Sequence, residues 1–236
     1  MVVIPPGEFE MGSPKSEEHR EYDEDLHLVR LPQPFQLGLT EVTQGQWKKV
    51  MGTEPWKGLK ENDTFAATSG HWLAAVEFCN QLSQLDGKKP YYAITEGLVE
   101  DVSVVGGSGY RLPTEEEWEF ACRAGTETPY SFGSDQTKLG DYAWYRNNTS
   151  QIGEEFAHAV GQKLPNGFGL FDMHGNVEEL CDGPDRQMRN TLDYVGMSRG
   201  GAWDGFPHSL RSAKRICRDY WGKQGFRVAS SPLGAK

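Results

Sequence analysis

Cysteine is scarce in this chain. There are four in 236 residues, Cys79, Cys122, Cys181 and Cys217. None forms a C-x-x-C pair, so the ligand spacing of a structural zinc site is missing. Thiols this isolated are expected to be reduced and buried rather than paired in a disulfide framework. No apolar run approaches the length that crosses a bilayer, which excludes a helical membrane span. No signal-peptide pattern precedes the strand-like opening MVVIPPGEFEMG, so the cytoplasm is the expected compartment. A basic balance is also absent. Lys and Arg number 24 against 34 Asp and Glu, a net charge of −10, the wrong sign for a nucleic-acid partner. No G-x-S-x-G elbow argues for a hydrolase. The glycine-rich VGGSGY at 105–110 leads into no GK[ST], so it is no phosphate loop. His71, His158, His174 and His208 show no paired helical spacing for iron. No internal repeat and no Pro/Ser-rich linker divides the chain, which reads as one domain over 1–236.

What is present is aromatic and glycine-rich. The chain holds 7 Trp, 9 Tyr, 11 Phe and 28 Gly, enough for a packed globule and against disorder. Residues 2–12 and 27–39 have strand-like stretches, the second broken by two prolines. Thr43 with Gln46 forms a capping box for a short helix that Gly52 stops. In HWLAAVEFCNQLSQLDG, residues Trp72, Ala75, Val76, Cys79, Leu82 and Leu85 repeat at helical spacing, and Gly87 closes the helix. Thr114 and Glu117 cap a third helix through EEEWEFACRAG, with Gly125 as its stop and three glutamates at the positive end of the helix dipole. Beyond residue 125 helical periodicity fades into glycine, asparagine, proline and aromatics. Loops this long need fixing by aromatic packing, internal hydrogen bonds or a metal ion.

Charge is unevenly placed. From Arg199 to Arg227 seven basic residues (Arg199, Arg211, Lys214, Arg215, Arg218, Lys223, Arg227) face only Asp204 and Asp219. Arg211, Arg215 and Arg227 are expected to pair with carboxylates elsewhere in the fold. Lys214, Arg218 and Lys223 are expected to stay at the surface.

Four segments in order carry a resemblance: VVIPPGEFEMGS near the start, GYRLPTEEEWEFACRAG at 109–125, PNGFGLFDMHGNVEEL at 165–180, and SRGGAW…RSAKR…GFRVA across 198–229. The chain resembles the formylglycine-generating enzyme family, the sulfatase-modifying-factor domain, over nearly its whole length. The resemblance implies an α+β fold of C-type-lectin-like form, low in regular structure, with two main helices and short antiparallel strands. In members that make formylglycine, two cysteines five residues apart follow the double glycine and bind copper(I). With oxygen they convert a sulfatase cysteine to an aldehyde-bearing residue. Those places fall here on Gly205 and Leu210, and neither side chain can hold a soft metal ion. Copper is therefore not expected, and Cys217 is read as a buried thiol.

The resemblance also implies calcium in the loop FDMHGNVEE. The Asp172 and Glu179 side chains and the Gly175 and Val177 carbonyls would be its ligands, a donor set of the hard, oxygen-only kind calcium takes. The usual tryptophan pair of that loop is replaced by Glu178 and Leu180. Two functions stay open. The first is a non-catalytic binding module for a protein or other macromolecular ligand. Its recognition surface would be the 203–223 segment: Trp203, Asp204, Phe206, His208, Leu210, Lys214, Arg218, Tyr220, Trp221 and Lys223. Aromatic and basic side chains are favoured at interface hot spots. Trp203 and Phe226 are expected to lean on the core, and Tyr220 and Trp221 to be most exposed. The segment is similar to the variable regions of bacterial proteins diversified by retroelements. The alternative is a copper-dependent oxidase that recruits another cysteine.

Overall fold

The computed structural model describes residues 1–56, 59–68, 71–95, 101–183, 187–189, 193–195, 197–217 and 222–231. In chain order its strands are β1 Val2–Ile4, β2 Gly7–Met11, β3 His27–Leu31, β4 Phe35–Leu37, β5 Tyr92–Thr95, β6 Asp101–Val104, β7 Tyr110–Arg111, β8 Glu178–Leu180, β9 Gln187–Arg189, β10 Asp193–Val195, β11 Ser198–Arg199, β12 Gln224–Gly225 and β13 Ala229–Ser230. The α-helices are α1 Gln44–Met51, α2 Trp72–Leu85, α3 Glu115–Arg123 and the single turn α4 Leu139–Tyr142. This is a mixed α and β architecture with few helices and short, mostly antiparallel strands.

Helices α1 and α3 begin where side chains satisfy the free amide groups of a first turn. At α1 the Thr43 hydroxyl accepts from the Gln46 amide at 3.2 Å, and the Gln46 side-chain oxygen accepts from the Thr43 amide at 2.9 Å. At α3, Thr114 and Glu117 form the same reciprocal box. Helix α1 stops at Gly52, at φ 68. Helix α3 stops one residue before the expected glycine. Ala124 takes the left-handed conformation at φ 47, and Gly125 follows at φ 90. Helix α2 buries Trp72, Ala75, Val76 and Cys79 of the expected stripe together with Phe78, and Leu82 packs half-buried beside them; Leu85, also expected inside, is exposed at the last turn.

A four-stranded sheet in the order β1-β4-β13-β7 joins both ends of the chain to its middle. Pro32 and Pro34 lie between β3 and β4, where neither costs a ladder hydrogen bond. A smaller sheet, β11-β8-β12, carries the double glycine at the end of β11. One core cluster packs Trp47, Trp56, Trp72, Phe78, Tyr92 and Phe226. A second packs Ile4, Leu37, Trp118, Leu170 and Met173 against the four-stranded sheet.

Long loops are fastened by buried side chains in place of regular ladders, because buried backbone groups need partners. Arg227 donates to the Gly38 and Phe171 carbonyls at 3.0 Å each. Arg123 donates to the Gly12 carbonyl at 2.7 Å, and Arg211 to the His19 carbonyl at 2.7 Å. The Asn166 amide donates to the Ala121 and Cys122 carbonyls. Among the described residues no helix is long and apolar enough to cross a membrane.

Candidate functional site

The place of interest opens at the end of β11. Arg199 is fully buried and pairs with Glu119 and Glu115 of α3. Gly200 and Gly201 follow at φ 85 and φ 75, a left-handed pair that turns the chain sharply. The chain then crosses Trp203, Asp204, Gly205 and Phe206 and reaches a short 3-10 turn, Pro207–Leu210.

Leu210 fills the space that this turn encloses. It is 0% exposed. A Cβ on Gly205 would lie 2.7 Å from Leu210 Cδ1, one on Gly201 2.9 Å from it, and one on Gly175 3.1 Å from Cδ2. The isobutyl group thus rests on three bare backbones, and residues 205 and 210 face each other directly. Leu210 is no part of a recognition surface, against the expectation from sequence. The glycines around it remove every Cβ that would hold it out of the interior.

His174 pins the same turn from inside. Its Nδ1 lies 2.8 Å from the Leu210 carbonyl, and its Nε2 lies 3.1 Å from the Ser131 amide. A carbonyl on one side and an N–H on the other admit one neutral tautomer, with the proton on Nδ1. Burial pushes the His174 pKa down to about 4. Cys122 is beside it, 3.8 Å from Nε2 and 3.6 Å from the Ser212 hydroxyl. Burial raises the Cys122 pKa to about 12 and lifts Cys79 and Cys181 as well, so all three stay as protonated thiols. Cys217 is exposed, a correction to the buried thiol expected there. It follows Ile216, which bridges to Ser198. Among the described residues no group of three or more His, Cys, Asp or Glu side chains is arranged to hold a metal ion.

The loop given to calcium is occupied differently at its two ends. Glu179 accepts from Arg227 through both oxygens, at 2.5 and 2.6 Å, and from the Trp118 indole at 2.7 Å. Its carboxylate is held by the Arg227 guanidinium fork and the Trp118 indole, so the four-residue donor set does not fit calcium as it stands. Asp172 accepts from the Gly161 amide at 2.6 Å with one oxygen, and its other oxygen meets no N–H donor among the described residues. Glu41, within hydrogen-bonding reach of Asp172, also has one unpartnered oxygen; Asn176 donates to its other one at 3.1 Å. Burial, and then the facing Asp172 and Glu179 charges, push the Glu41 carboxyl well above the usual range. No feature of the linear sequence tied Glu41 to this loop, 131 positions away from Asp172.

The recognition residues divide. Phe206 is 52% exposed and lies between the Arg146 guanidinium, 4.8 Å from its ring centre, and the His208 ring at 5.7 Å. His208 continues the stack onto His19 at 4.9 Å. Trp203 is half-buried against Ala66, Ala157 and Val177, in keeping with its expected lean on the core. Phe226 is fully buried, as expected. Arg211 forks onto Glu24 and reaches Glu17, Arg215 holds Glu115, and Arg227 holds Glu179, so all three expected pairings form. The two lysines pair as well, against expectation: Lys214 with Glu21 at 2.7 Å, and Lys223 with Asp204. An acidic loop between β2 and β3 brings Glu17, Glu21 and Glu24 over this segment, a contact that only the fold creates. Arg218, Tyr220 and Trp221 lie outside the described residues.

A cleft of about 410 Å³ lies beside this segment, walled by Trp56, Phe156, Ala157 and Trp203 and rimmed by Leu59, Lys60, Glu155 and Lys223. The Trp56 and Trp203 indole N–H groups are buried and have no acceptor among the described residues.

Comparison with known proteins decides the family. The profile of the sulfatase-modifying factor enzyme 1-like domain matches residues 1–232. The chain belongs to this family. It is 31% identical to the chaperone protein LppX of Paenibacillus barcinonensis, over 72% of this chain and 69% of that one. It is 25% identical to the formylglycine-generating enzyme of Thermomonospora curvata, over 99% and 94% of the two chains. Among solved structures, Treponema denticola variable protein 1 superposes with a TM-score of 0.82 at 27% identity, covering 98% of this chain and 95% of that one. The sulfatase-modifying-factor scaffold expected from the sequence is thus present, and its likeness extends to a variable protein. Within that scaffold, this chain places a packed leucine where the formylglycine-making members are expected to hold copper.

Proposed function

We propose that this chain is a non-catalytic binding module on a sulfatase-modifying-factor scaffold, with the segment 203–223 and the cleft beside it as its recognition surface. The observation that carries this reading is Leu210, sealed against Gly175, Gly201 and Gly205 where a soft-metal site would need two thiolates and room for oxygen. Cys79, Cys122 and Cys181 are buried, and neither position 205 nor position 210 supplies a sulfur. The partner we infer is a protein or another macromolecule. The likeness to a variable protein and to a protein named as a chaperone favours that class. Diversification of the segment by a retroelement belongs to the same reading, and a near-identical template repeat beside the gene, differing mainly at adenines, would support it.

The deciding experiment is an anaerobic copper(I) titration of the full chain, followed by incubation with a sulfatase-type cysteine peptide and oxygen. The expected result is no stoichiometric, thiol-dependent copper and no peptide aldehyde. Either one appearing would favour the copper-dependent oxidase. For the 172–179 loop the calcium expectation narrows to a proposal centred on Asp172 and Glu41, with Glu179 left to Arg227. Calcium should raise the melting temperature of the wild type and not of Glu41→Gln. An equal response in both would remove Glu41 from any such site.

A further inference from the structure

We propose that the Arg146 guanidinium and the exposed Phe206 ring together receive a polypeptide segment in which an Asp or Glu carboxylate stands next to an aromatic residue. This rests on the binding-module reading of segment 203–223 and adds the chemistry of what is bound.

Three observations carry it. The first is an unanswered charge. In a chain of net charge −10, every other arginine whose side chain is described pairs with a carboxylate. Arg146 has no carboxylate partner among the described residues; its guanidinium lies over the Phe206 ring instead, 4.8 Å from the centre. Asp204, two positions before that ring, is held by Lys223. Contact with a ring face spends no N–H donor. The planar fork is left for a carboxylate, which it grips through two parallel bonds. The second is that the pair is held in place before any partner arrives. The Arg146 amide donates to the Gly205 carbonyl at 3.1 Å, and the Phe206 carbonyl accepts from the Ser209 amide at 2.9 Å. The Asn148 side chain ties the turn around Arg146, accepting from the Tyr145 amide and donating to the Ala143 carbonyl at 2.9 Å each. Little backbone freedom remains to be lost on binding. Phe206, half-exposed and backed by the near-parallel His208 ring, gives an incoming aromatic ring a surface to pack on.

The third is the order of charge along the row of rings. Phe206 stacks on His208 and His208 on His19, whose imidazole lies 3.5 Å from the exposed Glu18. Burial, and then the neighbouring His19, Lys214 and Arg211, hold the His208 pKa below its usual value, so that ring adds no cation near neutrality. The row runs from a cation at Arg146 to an anion at Glu18. A lone carboxylate is drawn to the first end and repelled from the second, which sets the direction of the bound segment. A nucleic-acid strand carries a phosphate at every step and would meet both Glu18 and the acidic balance of the chain.

The test titrates the isotope-labelled full chain with end-blocked peptides Gly-Ser-Glu-Phe-Ser-Gly, Gly-Ser-Gln-Phe-Ser-Gly and Gly-Ser-Glu-Ala-Ser-Gly, and reads dissociation constants from amide shifts in NMR. The Glu-Phe peptide should bind about threefold or more tightly than either of the other two. That comparison leaves the protein unaltered. Arg146→Gln should erase the preference for Glu over Gln, and Phe206→Ser the preference for Phe over Ala, each with the melting temperature unchanged. Added salt should shrink the preference for Glu over Gln, since the pair is at the surface. Oligothymidylate should not displace the Glu-Phe peptide. Equal binding of the Glu-Phe and Gln-Phe peptides, no binding of any peptide, a charge preference that survives Arg146→Gln, a ring preference that survives Phe206→Ser, or displacement by oligothymidylate would each overturn the proposal. If the peptides fail while an identified partner loses affinity with Phe206→Ser, the ligand chemistry falls and the binding-module reading stands. Copper-dependent aldehyde formation would instead overturn that reading itself.

Discussion

Replacing Leu210 by alanine should cost about 2–5 kcal/mol of folding stability, because a fully buried leucine leaves a cavity that rigid backbone cannot close. The surroundings argue for the upper half of that range: two of the groups packed on Leu210 are left-handed glycines, Gly175 and Gly201, whose turns cannot collapse inward. Gly205→Ala should cost about 1–3 kcal/mol by overpacking, since its methyl would meet Leu210 Cδ1 at 2.7 Å, Ser209 Oγ at 2.8 Å and the Ala202 carbonyl at 2.9 Å. The leucine contact is shared by the two variants. In the double variant the new methyl no longer meets Leu210, while the clash with the Ala202 carbonyl remains. The double loss should therefore fall short of the summed single losses by about 0.5–3 kcal/mol. Urea unfolding of the four proteins, with unchanged m-values, gives the coupling directly. Additivity to within about 0.5 kcal/mol would refute the facing arrangement of residues 205 and 210.

Further outcomes follow from the same contacts. Glu179→Gln strips the charge from the fully buried Arg227 fork and should destabilise by about 3–5 kcal/mol, measured by denaturant unfolding. Lys214→Ala breaks a pair whose Glu21 partner is half-exposed, and should change stability by at most about 1 kcal/mol. His174 carries a pKa near 4 in the folded chain, below its unfolded value, because burial disfavours the charged ring. The unfolded chain therefore binds the proton first as pH drops. The stability held near neutrality should be lost between about pH 6.5 and 4, by up to about 3 kcal/mol. His174→Gln should flatten that part of the curve, and an unchanged slope would mean that the titration lies elsewhere.

Local chemistry determined much of this protein from its sequence. The Thr43–Gln46 and Thr114–Glu117 capping boxes, the α2 stripe from Trp72 to Cys79 and the two strand regions near the start formed as read, because each depends on residues a few positions apart. The recurring motifs placed the chain in its family, and the absence of sulfur at 205 and 210 was plain in the letters alone. What tertiary structure alone decided was which of those letters meet. Leu210 turned from a surface candidate into a plug because Gly201 and Gly205 of its own turn and Gly175 of a distant loop converge on it. Lys214 and Lys223 lost their freedom to Glu21 and Asp204. Glu179 became the partner of Arg227, and Glu41 came to rest beside Asp172 from the far end of the chain. Burial and charge pairing are properties of neighbours in space. A chain that folds mostly through loops gives its neighbours no periodicity by which they could be found in advance.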